Sequence, residues 1–212
     1  MSFAHMSWDT DFNNITNDTI RLLHIKLFIK YMLEYQKKNN IINHCITNAQ
    51  YLRDHCVANG LEAKVIVVLC KNIWEDADGL INCVINSQHM CVDCYGVIME
   101  PSYQIASMEK QYQNDYYRTL KDIKDCPQIR QTGYKLTKEE ITKFIRFQKY
   151  AQEMNDNKLL LSSKDYYNKQ ADYVENKMKI ITEKAPSMTK KQYVKMLLRN
   201  LDSTLPRITA KK

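Results

Sequence analysis

Residues 45–69 read CITNAQYLRDHCVANGLEAKVIVVL, and the period of their apolar positions changes partway along. Cys45, Ala49, Leu52 and Cys56 recur at steps of four, three and four, which places them on one helical face. Gly60 follows where helices commonly end in a left-handed residue, a conformation glycine adopts without a Cβ clash. Residues 63–69 are then a largely β-branched run of strand length, so the spacing predicts a buried strand. A helix that hands over to a strand in this way predicts an α+β core.

Working outward, residues 16–38 read as an amphipathic helix. Asn17 or Asp18 can cap it, Ile20, Leu23, Leu27 and Tyr31 form its apolar stripe, and Lys37-Lys38 suit its negative end. Asn39-Asn40 interrupts that pattern before the second helix begins at 43–45. Downstream, residues 76–79 read as a turn. Residues 80–85 and 88–95 read as one long bent strand or two short ones, Gly96 as a tight turn, and 97–100 as the return strand. The first half is thus helix, helix and antiparallel meander. After Ser102 the strand signal vanishes, and 107–124, 137–154, 163–181 and 189–201 all read as helices. Thr137 with Glu140 and Thr189 with Gln192 make capping boxes, while Pro127, Gly133, Pro186 and Pro206 punctuate the helices.

Charge divides the chain at the same place. Residues 1–100 hold 8 Lys/Arg against 11 Asp/Glu, whereas 101–212 hold 23 against 13. That step predicts an N-terminal extension (1–15), a core (16–104) and a basic, mostly helical extension (105–212) packing on or covering the core. Hydrophobic residues at 44% and charged residues at 26% are ordinary for a folded protein. No apolar run is long enough to span a membrane, and the first residues lack the pattern of a secretory signal. Seven cysteines without regular spacing, several within apolar segments, read as reduced core residues of a cytoplasmic or other intracellular, reducing compartment.

Three residues carry a possible chemistry. A thiol nucleophile needs an environment that favours its anion, a base within reach, and a group that holds the base in one orientation. Cys45 opens a helix, where free backbone N–H groups and the dipole favour negative charge and can also hold an oxyanion. His89 leads the segment 88–95, in which His89, Cys91 and Asp93 share one face and Met90, Val92 and Cys94 the other. Glu100 lies across the Gly96 turn, where a cross-strand carboxylate can meet the imidazole. Asp93 is a rival for that orienting role, and Asn43 or Asn40 could supply an amide to an oxyanion. Cys91 and Cys94 form a single C-x2-C, but the positions face opposite ways on a strand and no second pair completes a four-ligand zinc site. No metal and no cofactor are expected.

Two blocks of the chain resemble the transglutaminase-like (papain-like) cysteine peptidase/acyltransferase superfamily. The first is Cys45-x3-Ala49-x2-Leu52-Arg53-x2-Cys56-x3-Gly60-Leu61-x-Ala63-Lys64-Val65, and the second is His89-x2-Val92-x3-Gly96-x3-Glu100-Pro101-Ser102. Together they span about residues 43–103. Ile46 and Met90 stand where many members carry an aromatic, and Glu100 stands where Asp is commoner. The resemblance implies helices packed on a small antiparallel sheet and a Cys45-His89-Glu100 triad. The activity it implies is cysteine-dependent acyl transfer on a peptide or protein amide, as a peptidase or amidase more than in cross-linking or deamidation. The competing expectation is a non-catalytic protein of the same fold whose basic residues 105–212 bind nucleic acid or an acidic protein partner. The interleaved Lys and Tyr residues of that half fit such a partner, and fit equally a lysine surface over a tyrosine-rich core.

Overall fold

The computed structural model describes residues 15–75, 77–78, 81–107, 113–126, 135–157 and 164–201. Helix α1 runs Asn17–Lys38 and α2 runs Cys45–Ala58, followed by strands β1 (Ala63–Glu75), β2 (Ile81–Cys94) and β3 (Val97–Met99). A short helix α3 (Tyr103–Ala106) leads to β4 (Gln113–Tyr117), and α4 (Leu120–Asp125), α5 (Lys138–Asn155), α6 (Lys164–Thr182) and α7 (Lys190–Leu201) complete the chain. The protein is α+β, with an antiparallel four-stranded sheet in the order β3-β2-β1-β4.

The period change at Gly60 is realised as expected. Gly60 takes φ 74, and the N–H of Leu61 returns to the carbonyl of Cys56 to close α2. One face of the sheet carries Val65, Val67, Leu69, Met90, Val92 and Cys94 into the main core, together with Leu23, Leu27, Ala49, Leu52 and Cys56. Phe144, Met154, Val174, Val194 and Leu197, all beyond residue 104, are buried in that same cluster. The opposite face carries a smaller cluster of Val68, Cys91 and Ile105. Cys91 and Cys94 therefore lie on opposite faces, as their spacing requires.

Two local expectations are corrected, and one of two alternatives is decided. The cap of α1 is Thr16, not Asn17 or Asp18: its hydroxyl accepts from the N–H of Thr19, whose own hydroxyl accepts from the Thr16 N–H. The segment 81–94 is one strand, interrupted in register between the pairs Val68↔His89 and Cys70↔Asn86. Residues 107–124, read as a helix, contain β4, which pairs from Leu69↔Tyr117 to Ile73↔Gln113. β1 extends to Glu75, well past the β-branched run, and so offers an edge on which residues 113–117 can hydrogen-bond. The capping boxes at Thr137/Glu140 and Thr189/Gln192 form as read. Pro127, Gly133, Pro206 and most of the extension 1–15 lie outside the described residues.

Candidate active site

The first residue of α2 is Cys45, and the residue before it, His44, makes no side-chain cap bond. The first turn holds no acid, and the first helical bond is Asn48 N–H to His44 C=O at 3.0 Å. The N–H groups of residues 45–47 thus precede the ladder, and the positive end of the dipole bears on the thiol. The loop into α2 contains Asn40 and Asn43, both exposed and left-handed (φ 51 and 59). The Asn43 N–H donates to the side-chain carbonyl of Gln104 at 3.2 Å, which fastens this loop to the chain following Glu100.

His89 sits immediately after the irregularity in β2. Two residues of β2, Ser87 and Gln88, face Leu69 alone across the ladder, and Gln88 takes φ 66. A bulge shifts the alternation of side chains and often re-aims one beside a functional site. Beyond it, the Nε2 of His89 lies 2.8 Å from each carboxylate oxygen of Glu100. Both side chains are buried, at 6% and 4% exposure. Glu100 also accepts from the Ser102 N–H at 2.7 Å, the Tyr116 hydroxyl at 3.0 Å and the Cys91 thiol at 3.5 Å.

Burial by itself would depress the basicity of His89. The Glu100 charge opposes that, and hydrogen bonds to Cys45 and Glu100 add to it, so the pKa rises from 6.5 to about 10. Cys45, at the start of α2, is thus one of the groups that act on the imidazole and raise its basicity. The ring remains an imidazolium through neutral pH.

The structure brings His89 and Glu100 together, and Cys45 acts on the same ring. It places Asp93 elsewhere: its carboxylate accepts from the Gly96 N–H at 2.8 Å and pairs with Arg118, so it closes the β2–β3 turn. Sequence reasoning missed Tyr116, because its segment read as helix, and gave no role to Ser102 or to the Cys91 thiol. The Pro-Ser that follows the acid was the available signal for Ser102.

His89, Cys91 and Glu100 are also the side chains, among the described residues, that could hold a metal ion, their ligand atoms lying within 4.8 Å of one another. Zinc bonds of about 2.0–2.3 Å set tetrahedral ligand atoms roughly 3.3 Å or more apart. The 2.8 Å separations between the imidazole nitrogen and the carboxylate are those of a shared proton.

No protein-family model, curated protein or solved structure matches this chain. The functional reading therefore rests on the geometry and on the two sequence blocks alone.

Proposed function

We propose that this chain is a cysteine-dependent acyl-transfer enzyme of transglutaminase-like type, acting as a peptidase or amidase. The observation that carries the reading is a buried imidazole held by Glu100, on which Cys45 acts electrostatically from the first residue of α2. In this mechanism the Cys45 thiolate attacks an amide carbonyl, and the Cys45 N–H helps hold the resulting oxyanion. The His89 imidazolium donates its proton to the leaving amine and then takes one from water, which releases the acid and restores the thiolate. Glu100 keeps the ring oriented and charged. Among the described residues no helix is long and apolar enough to cross a membrane.

The test is turnover of short peptide amides, read as released amine. Cys45→Ala should lower it by at least about 10³-fold, since removing a nucleophile removes the covalent route. Full turnover by Cys45→Ala would end the proposal.

A second reading, binding of a polyanion, has one observation in its favour. On α5 and α6 several lysines are matched by acids, as in Lys143–Glu139 at 2.8 Å and Lys169–Asp165 at 2.8 Å. Helix α7 carries exposed Lys190, Lys191, Lys195 and Arg199 and no acid at all. Lys191, Lys195 and Arg199 follow one another at four-residue steps along one face. If these four cations engage single-stranded nucleic acid, log affinity should fall with log salt at a slope of about −3. Reversing Lys191, Lys195 and Arg199 to Glu should abolish binding. Absence of binding by the unaltered protein at low salt removes this reading.

A further inference from the structure

Between the elements that bear Cys45 and Glu100 runs a buried polar chain that the proposed chemistry does not itself use. Asn48 lies one turn after Cys45 on α2 and is 1% exposed. Its amide N–H donates to the Ser102 hydroxyl at 3.2 Å, and the Ser102 N–H holds Glu100. The carbonyl of Asn48 accepts from the Tyr166 hydroxyl of α6 at 2.7 Å. Burial pushes the Tyr166 phenol well above its ordinary range, so it stays protonated and keeps donating. The Tyr166 ring packs on His44, the residue before the nucleophile, at 4.4 Å between centroids.

A second branch fastens the same loop. Gln36 of α1, also 1% exposed, donates to the Pro101 carbonyl at 2.9 Å and accepts from the Tyr103 N–H at 2.8 Å. It meets Gln170, one turn after Tyr166 on α6, at 3.0 Å. Buried polar groups cost free energy unless each finds a partner, and a satisfied network rigidifies what it joins. Here the joined parts are the helix of the nucleophile, the loop of the acid and one helix of the C-terminal half.

We infer that Tyr166 is a positioning residue of the Cys45-His89-Glu100 site, acting through the Asn48 amide to fix the nucleophile's helix against the acid's loop. The inference rests on the acyl-transfer reading, and it makes α6 an integral wall of the site. Tyr166→Phe keeps the ring on His44 and removes the hydroxyl alone.

The experiment is the rate of Cys45 alkylation by iodoacetamide across pH 5–9 in four proteins: unaltered, Tyr166→Phe, Asn48→Ala and the double variant, with folding checked by circular dichroism. Tyr166→Phe should slow the reaction about three- to tenfold near pH 6, with a smaller effect near pH 9, where any thiol is substantially ionised. The double variant should be slowed by less than the product of the two single effects, because Tyr166 acts through Asn48 and, at 2.9 Å from its hydroxyl, Gln170 of the same network. Tyr167→Phe, whose ring instead meets Tyr51 edge-on, should match the unaltered protein. An unchanged pH profile in Tyr166→Phe, or effects that simply multiply in the double variant, overturns the inference. Alkylation that is indifferent to His89→Ala sinks the acyl-transfer reading itself, a separate outcome read in the same assay. Should Tyr166→Phe lose its fold, exchange of the Ser102 N–H in Tyr166→Trp decides: faster exchange supports the linkage and unchanged exchange refutes it.

Discussion

Glu100→Ala is expected to destabilise the protein by about 3–5 kcal/mol, because removing one partner of a buried ion pair leaves the other charge without compensation. The carboxylate accepts from the buried His89, Ser102 N–H and Cys91 thiol and from the hydroxyl of half-buried Tyr116. Alanine would orphan each of these donors at once. The His89 ring would shed its proton instead of staying charged, which caps the penalty near that range. For a chain of this size such a loss lowers the thermal midpoint by about 10 °C or more. Glu100→Gln keeps the volume and one acceptor, so it should cost less.

The same pair predicts a pH dependence. The folded-state pKa of His89 lies above its ordinary value of 6.5, so the stabilisation it brings is complete below about 6.5 and is lost as pH rises towards about 10. Urea midpoints measured across that window should decline more steeply in the unaltered protein than in Glu100→Gln. Parallel declines would contradict the ion pair.

The second large effect concerns thiol reactivity. Of the described cysteines, Cys45 is half-buried, whereas Cys56, Cys91, Cys94 and Cys126 are fully buried. Hydrogen bonding to Cys94, reinforced by burial, pushes the Cys56 thiol far up, which makes it inert as a nucleophile. Among these five cysteines, rapid alkylation of the folded protein should therefore map to Cys45. At pH 6 an ordinary thiol of pKa about 8.5 is only about 0.3% thiolate. An adjacent imidazolium favours the thiolate over the thiol, so removing it costs reactivity at low pH. The expectation is that His89→Ala slows alkylation about tenfold at pH 6. Mapping the modified cysteine by peptide mass checks the assignment, and an equal rate in both proteins would refute it.

Much of the fold was legible because two strong local signals lie side by side. The stripe from Cys45 to Cys56 and the run after Ala63 each have one dominant period, and Gly60 supplies the break that separates them. The second half was half-legible: its long helices carry capping boxes that local chemistry dictates. β4 was not legible, because its residues (QNDYY) show no apolar alternation and join Asn and Asp, which strands disfavour, to tyrosines. Its conformation comes from the partner edge of β1, a tertiary cause that no local window contains.

The site divides in the same way. The meeting of His89 with Glu100 across the Gly96 turn could be anticipated from order and spacing, although Glu100 lies just past β3 and not on the return strand expected over 97–100. The bulge at Gln88 could not be read, since it carries no glycine and shows itself only in the ladder. Nor could Asn48, Gln36 and Tyr166, which are scattered along the chain and share only a polar side chain that folding buries. Hydrogen-bonding groups of that kind acquire meaning from partners over a hundred residues distant, as Tyr166 does from Asn48.

The most direct measurement is a ¹⁵N NMR titration of the His89 ring in the unaltered protein and in Cys45→Ala. The unaltered ring should carry protons on both nitrogens through neutral pH, and its titration midpoint should move down when the sulfur is removed, because Cys45 is one of the groups holding the charge. A ring already neutral at pH 7, or a midpoint indifferent to Cys45→Ala, would mean that the thiol and the imidazole do not act together.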